Sequence, residues 1–294
     1  MIDFFQYALN GVLIGLVYSL IALAFIVIYR SSRILNLAQG ELVLLGGFIG
    51  YTFITGMSLP HWIAIPASLV TVLILGFLIE KGIFRYLIGE SLFTNVMVTI
   101  GLMIFLRGLM LVAWGPAPRM FPEIVSSEPV IIGPFLFSRS ILFGGILAFA
   151  LFFCFHWLLE KTRWGLTMTA VAEDPVCAQS LGISIKRSVA LAWGLGFLLS
   201  TAAAFVFLSG QSICFLASDI GLVALPVVLL AGMESVWGAP LAGIIIGVGQ
   251  ALSQAYLDDY TAGAMSEAFP FVIMIVILLI RPQGLFGWKI IERV

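Results

Sequence analysis

The sequence predicts an all-α polytopic membrane bundle of about 8–10 spanning helices, at least one of them broken or re-entrant. Three observations predict it: the composition, the length of the apolar runs and the placement of the basic residues. Hydrophobic residues fill 62% of the 294 positions and charged residues only 10%, with a mean hydropathy of +1.16. A water-soluble fold keeps a charged exterior and cannot hide so much apolar surface. In lipid, backbone polar groups must be satisfied internally, so spanning segments are helices or closed barrels. The runs last about 20 residues and do not alternate, which suits helices crossing a ~30 Å core and not the ten-residue, period-two strands of a barrel.

The apolar blocks fall at 8–29, 37–55, 61–80, 92–114, 138–159, 188–209, 218–232, 240–257 and 268–280. The first lacks a basic stretch and a small-residue cleavage site before it, so it is expected to be a retained helix and not a removed signal. The block at 218–232 is short and holds Pro226. It is the candidate for the broken helix, which is tolerated only where protein or a water-filled cavity covers the freed backbone. The whole of 1–294 is read as one transmembrane domain carrying a polar segment at about 163–187.

Orientation follows from the positive-inside rule. Arg30, Arg33, Lys81, Arg85, Lys161, Arg163, Lys186, Arg187, Arg281, Lys289 and Arg293 fall on one side if the spans alternate as given. The other side keeps Arg119 and Arg139, with Glu123, Glu128, Asp258, Asp259 and Glu267. The expected N-terminus is therefore periplasmic and the C-terminus cytoplasmic. On the outer side, 115–137 contains Pro116, Pro118, Pro122, Pro129 and Pro134. Proline removes donors and fixes φ, so this reads as a stiff irregular loop, either facing an external partner or simply connecting two spans.

Several functions are disfavoured. The net charge of -1 is spread without a basic patch, which argues against nucleic acid. Cys154, Cys177 and Cys214 lack C-x-x-C spacing, and His61 and His156 lie far apart, so no metal site is expected. No G-x-x-x-x-G-K-[ST] occurs, so the chain is not expected to cradle ATP phosphates. H-E-x-x-H and G-x-S-x-G are missing too, which disfavours an intramembrane enzyme. A stand-alone secondary transporter or channel would need an ion-coupling acid at mid-membrane, and the spans offer no strong candidate.

The segment R-W-G-L-T-M-T-A-V-A-E-D-P-V-C-A-Q-S-L-G-I-S-I-K-R, Arg163 to Arg187, is the most informative. Asp174 and Pro175 read as N-cap and first helical residue, and Gly182 as the C-terminal stop. Two turns of helix are unstable alone in water and must dock on something. Val176, Ala178 and Leu181 could fill a cleft on a soluble partner. An inner-side loop with an incidental helical turn fits the same spacing.

Polar residues within spans usually face the bundle or a cavity. Asn36, Gln39 and Glu41 at the start of the second span, with Asn95 and Thr99 in the fourth, are candidates to line a solute route. Ser209, Gln211 and Asp219 are weaker ones. For any one of them, hydrogen bonding between helices is the simpler account. Arg107 could snorkel, pair with an acid or attract an anionic group, and pairing comes first because an unpaired cation at that depth is costly. The glycine pairs Gly11/Gly15 and Gly243/Gly247, with Gly46, Gly47 and Gly50, permit close helix contact.

A-E-D-P-V-C-A-Q-S-L-G-I resembles the coupling segment of ABC importer permeases, specifically the branched-chain amino acid permease family and the smaller of its two permease types. N-L-A-Q-G-E at Asn36–Glu41, L-L-A-G-M-E-S-V-W-G-A-P-L-A-G at Leu229–Gly243 and R-P-Q-G-L-F-G at Arg281–Gly287 are similar to further family motifs, in the family's order. Gln39 stands where the family often has histidine, and Glu234 where glycine is usual. The resemblance implies a permease of the bacterial inner membrane. Glu173, Asp174, Pro175, Val176, Ala178, Leu181 and Gly182 would then couple it to an ATPase. It also implies a second homologous permease subunit, two ATP-binding subunits holding ATP and Mg, and an external solute-binding protein. No cofactor is expected in this chain. Branched-chain amino acids are the default solute, with urea, short amides and aromatic acids as alternatives.

Overall fold

The computed structural model describes residues 2–126 and 128–287, so Lys289 and Arg293 lie outside the described residues. Each apolar block becomes a helix. In chain order the helices are α1 (Ile2–Ser32), α2 (Gln39–Tyr51, extended by a π-helical turn Thr52–Gly56), α3 (His61–Gly82), α4 (Leu92–Trp114), α5 (Arg139–Lys161), α6 (Arg163–Glu173), α7 (Pro175–Ser180), α8 (Ile185–Phe207), α9 (Ile220–Ala231), α10 (Gly238–Tyr256), α11 (Asp258–Thr261) and α12 (Ala264–Ile280). Among the described residues, five stretches are long and apolar enough to cross a membrane: Asp3–Ser32, His61–Tyr86, Leu92–Trp114, Arg139–Lys161 and Ile185–Phe207.

α1 and α8 form the centre and are mostly buried, whereas α3, α4 and α5 bury one face each. Val70, Ile74 and Leu78 on α3, and Ile146, Phe149 and Phe153 on α5, point outward. Apolar residues on an outer face are at home in lipid, where the protein surface need not be polar. α1 lies closely along α10 because Gly11 and Gly15 meet Gly243 and Gly247 backbone to backbone. A side chain at any of these four positions would collide with main-chain atoms of the facing helix. Direct backbone approach is how small residues hold apolar helices together without a hydrophobic driving force.

Two of the helices, α2 and α9, are entered through backbone that is not α-helical. After α1, the chain runs non-helically from Arg33 to Ala38 before α2 begins. α9 has 12 residues and follows a 3₁₀ segment, Phe215–Asp219. This is the short block that Pro226 marked, and the helix still includes that proline. The first turns of α2 and α9 cross at Gly40 and Gly221, where neither position has space for a Cβ.

The 115–137 loop differs from a purely irregular connector. β1 (Arg119–Met120) pairs antiparallel with β4 (Ser212–Ile213), and β2 (Pro129–Ile132) with β3 (Phe135–Ser138). Gly133, at φ +62, turns the second pair, so the prolines stiffen a loop that also carries two small strand pairs. The polar segment differs as well. Arg163–Glu173 is a helix in its own right, seated where Gly165 touches the main chain of Leu159.

Candidate functional site

The end of the bundle that carries Arg30, Arg33 and Lys161 is built from four distant stretches of chain. α7 begins where the spacing predicted. Asp174 Oδ1 accepts from the backbone N–H groups of Val176 and Cys177, each at 2.9 Å, Pro175 is the first helical residue, and Gly182 at φ +81 closes the turn. This cap satisfies donors that a helix start otherwise leaves open. Val176 and Leu181 project outward, 78% and 74% exposed, but Ala178 is only 1% exposed. Ala178 therefore packs into its own chain and cannot fill a cleft on another protein. The surface that α7 offers is the pair Val176 and Leu181.

Arg33 holds this region together. It follows α1 in a left-handed conformation, φ +55, which a bulky L-residue adopts only when its surroundings impose it. Its guanidinium pairs with Glu173 at 2.6 Å and with Glu234 through the other terminal nitrogen. Glu234, unusual for its motif, thus joins the α9–α10 turn to the end of α1. Beside it Arg30 pairs with Glu160 at 3.1 Å. A cavity of about 580 Å³ opens here, lined by Tyr29, Arg33, Glu173, Met233, Glu234 and Pro282 among others.

Two of the sequence motifs meet at this end. Leu285 N–H donates to the Leu230 carbonyl at 2.8 Å, and Gly284 packs against the backbone of Gly232. Both glycines have positive φ, +76 and +83. The C-terminal R-P-Q-G-L-F-G thus folds over the end of α9, and its glycines permit the contact.

The polar candidates of the spans gather around the start of α2. Asn36 donates to Gln39 at 3.0 Å, and Gln39 donates to Ser200 on α8 at 2.5 Å. Thr99 donates within α4 to Val96 at 2.9 Å and lies 3.4 Å from the Leu35 carbonyl. All of these side chains are buried, so in this conformation they join helices and do not line an open passage. Asn95 is buried too, and its Oδ1 has no partner among the described residues. Ser209 accepts from the Ile124 N–H and ties down the 115–137 loop. Gln211 does the same through its carbonyl, to Phe121.

Arg107 pairs with an acid, and that acid is Glu41. Nε donates to Glu41 Oε1 at 2.8 Å, and Nη2 lies 2.6 Å from the same oxygen. Nη2 also donates to Ser218 Oγ at 2.7 Å. One ion pair thus joins α2, α4 and the 3₁₀ segment before α9. Sequence reasoning proposed the type of partner but could not choose it, because the two residues stand 66 positions apart.

A family model described as "Branched-chain amino acid transport system / permease component" matches residues 7–278. The chain belongs to this family. Its members are transport permease components and not catalysts. The chain is 27% identical to the high-affinity branched-chain amino acid transport system permease protein LivH of Salmonella typhimurium, covering 99% of this chain and 98% of that one. It is 26% identical to the permease protein BraD of Pseudomonas aeruginosa with the same coverage. It is also 28% identical to the autoinducer 2 import system permease protein LsrC of Enterobacter sp., over 82% of this chain and 72% of that one. No solved structure matches the chain.

Proposed function

We infer that this permease is the membrane-spanning subunit of an ATP-driven ABC importer carrying branched-chain or related amino acids. The observation that supports it most is α7: a capped helix presenting Val176 and Leu181 to solvent at the end where the basic residues gather. Exposed apolar residues on a helix too short to stand alone suit a groove on a soluble partner. That partner would be an ATP-binding subunit that supplies the nucleotide chemistry and its Mg. Two such subunits, a second homologous permease and an external solute-binding protein complete the assembly on this reading. The basic end would face the cytoplasm, with the C-terminus inside and the N-terminus outside, in the bacterial inner membrane. ATP-driven closure of the ATPase pair would push α7, and through Arg33 the α9–α10 turn, and so rock the permease halves between two facing states.

The amino-acid assignment leans on the names of LivH and BraD, which match along nearly the full length of both chains. LsrC shows that the wider group includes permeases for a different solute. Reconstituting the permease with its partner subunits and binding protein in liposomes tests the reading. Radiolabelled leucine should accumulate only when ATP is supplied on the ATPase side. Accumulation without ATP, or none of any branched-chain amino acid, would overturn it.

A further inference from the structure

Arg107 stands within a helix long and apolar enough to span the membrane. It lies about 10 Å along the axis from Trp114, which ends α4, and about 22 Å from Leu92, which begins it. Its side chain is nevertheless 44% exposed. Nε and Nη2 are engaged by Glu41 and Ser218, and Nη1 has no hydrogen-bond partner among the described residues. Lipid is a poor neighbour for such a group. The face that carries it must therefore meet water or protein in the working molecule.

The adjoining element carries the complementary charge. Asp219 follows Ser218, is exposed, and has no ion-pair or hydrogen-bond partner among the described residues. Leu216 and Leu222 stand three residues before and after it, and both are exposed. The 3₁₀ segment and the first turn of α9 thus present a stripe of aliphatic, acidic and aliphatic side chains beside a guanidinium. Behind them Glu41 is 2% exposed, and its Oε2 is enclosed without a partner. The other oxygen, Oε1, holds Arg107 from the rear through Nε and Nη2, and Nη1 stays open. The free Nη1 of a guanidinium for a carboxylate, an acid for an ammonium and aliphatic surface for a side chain together match one class of solute.

We propose that Arg107, held by Glu41 and Ser218, and Asp219 with Leu216 and Leu222, form a mid-span station recognising a zwitterionic amino acid with an aliphatic side chain. The solute's carboxylate meets Arg107 and its ammonium meets Asp219. The station lies on the face that Arg107 keeps out of lipid, where water or protein must meet it. This rests on the importer reading above and assigns that function a place in the chain.

Photo-leucine, a diazirine-bearing leucine analogue, tests it in the reconstituted importer during ATP-driven uptake. Labelling is expected on the peptides spanning Arg107 or Leu216–Leu222, and excess leucine should suppress it. Asp219→Asn and Arg107→Gln should each lower that labelling and leucine uptake about tenfold. Should Arg107→Gln fail to assemble, Asp219→Asn carries the test, since its carboxylate supports no contact in the described fold. Leucine uptake with labelling confined elsewhere, or unchanged labelling in Asp219→Asn, overturns this station and leaves the importer reading standing. Absence of leucine uptake by the wild type overturns the importer reading itself.

Discussion

Arg33 places a terminal guanidinium nitrogen 2.6 Å from the carboxylate of Glu173, tying the residue after α1 to the residue that precedes the α7 cap. Its other branch pairs with Glu234, so one side chain connects α1, the α6–α7 segment and the turn that ends the half-length α9. These groups are partly exposed, and exposed pairs contribute little to stability, of order 0–1 kcal/mol. On the importer reading their part is to transmit movement from α7 to the α9–α10 turn. Arg33→Gln should leave folding nearly unchanged and ATPase activity within about twofold, yet reduce ATP-driven uptake by about five- to tenfold. Uptake and hydrolysis measured on the same liposomes give the ratio. An unchanged ratio would mean that the hub is only a surface ion cluster.

The contact of α1 with α10 predicts a steric effect. Gly15→Leu and Gly247→Val would drive side chains into facing backbone, an overpacking that costs about 1–3 kcal/mol or more. Thermal unfolding in detergent should show both variants well below wild type. Gly101→Ala, where nothing lies within 4 Å, should unfold with the wild type and serves as the control.

Removing the cap has a smaller and more local consequence. Asp174→Ala frees the N–H groups of Val176 and Cys177, a loss of about 1 kcal/mol of helix stability. If α7 must be ordered to dock, affinity for the ATPase subunit should fall about fivefold. Asp174→Asn, which retains the acceptor, should bind nearly as wild type. Titration of purified ATPase subunit against the detergent-solubilised permease reads both.

The features legible in the sequence were those set by local chemistry. Every apolar block became a helix, Pro226 flagged the short one, and Asp174-Pro175 with Gly182 marked α7. Glycine spacing announced close helix contact, because small side chains at those intervals have one common use in lipid, but it did not name α1 and α10 as the partners. Tertiary choices were not legible. Nothing near Arg33 names Glu173 or Glu234, which stand 140 and 201 positions away. Arg107 required an acid, but the sequence offered several. Ala178 looked interchangeable with Val176 until packing turned it inward. The strand pairs that involve the 115–137 loop were missed because two-residue strands such as β1 and β4 carry no period of their own. α6 was passed over because it sits in a polar stretch where apolar-run reasoning does not look.

On the importer reading, α7 is the handle by which an ATPase grips this permease. The most direct measurement is affinity purification of the full assembly through a tag on the permease carrying Val176→Asp and Leu181→Asp together. Both side chains are outward and unneeded for the described fold, so the permease should still purify while the ATPase subunits are lost. Retention of the ATPase subunits at wild-type stoichiometry would contradict the account.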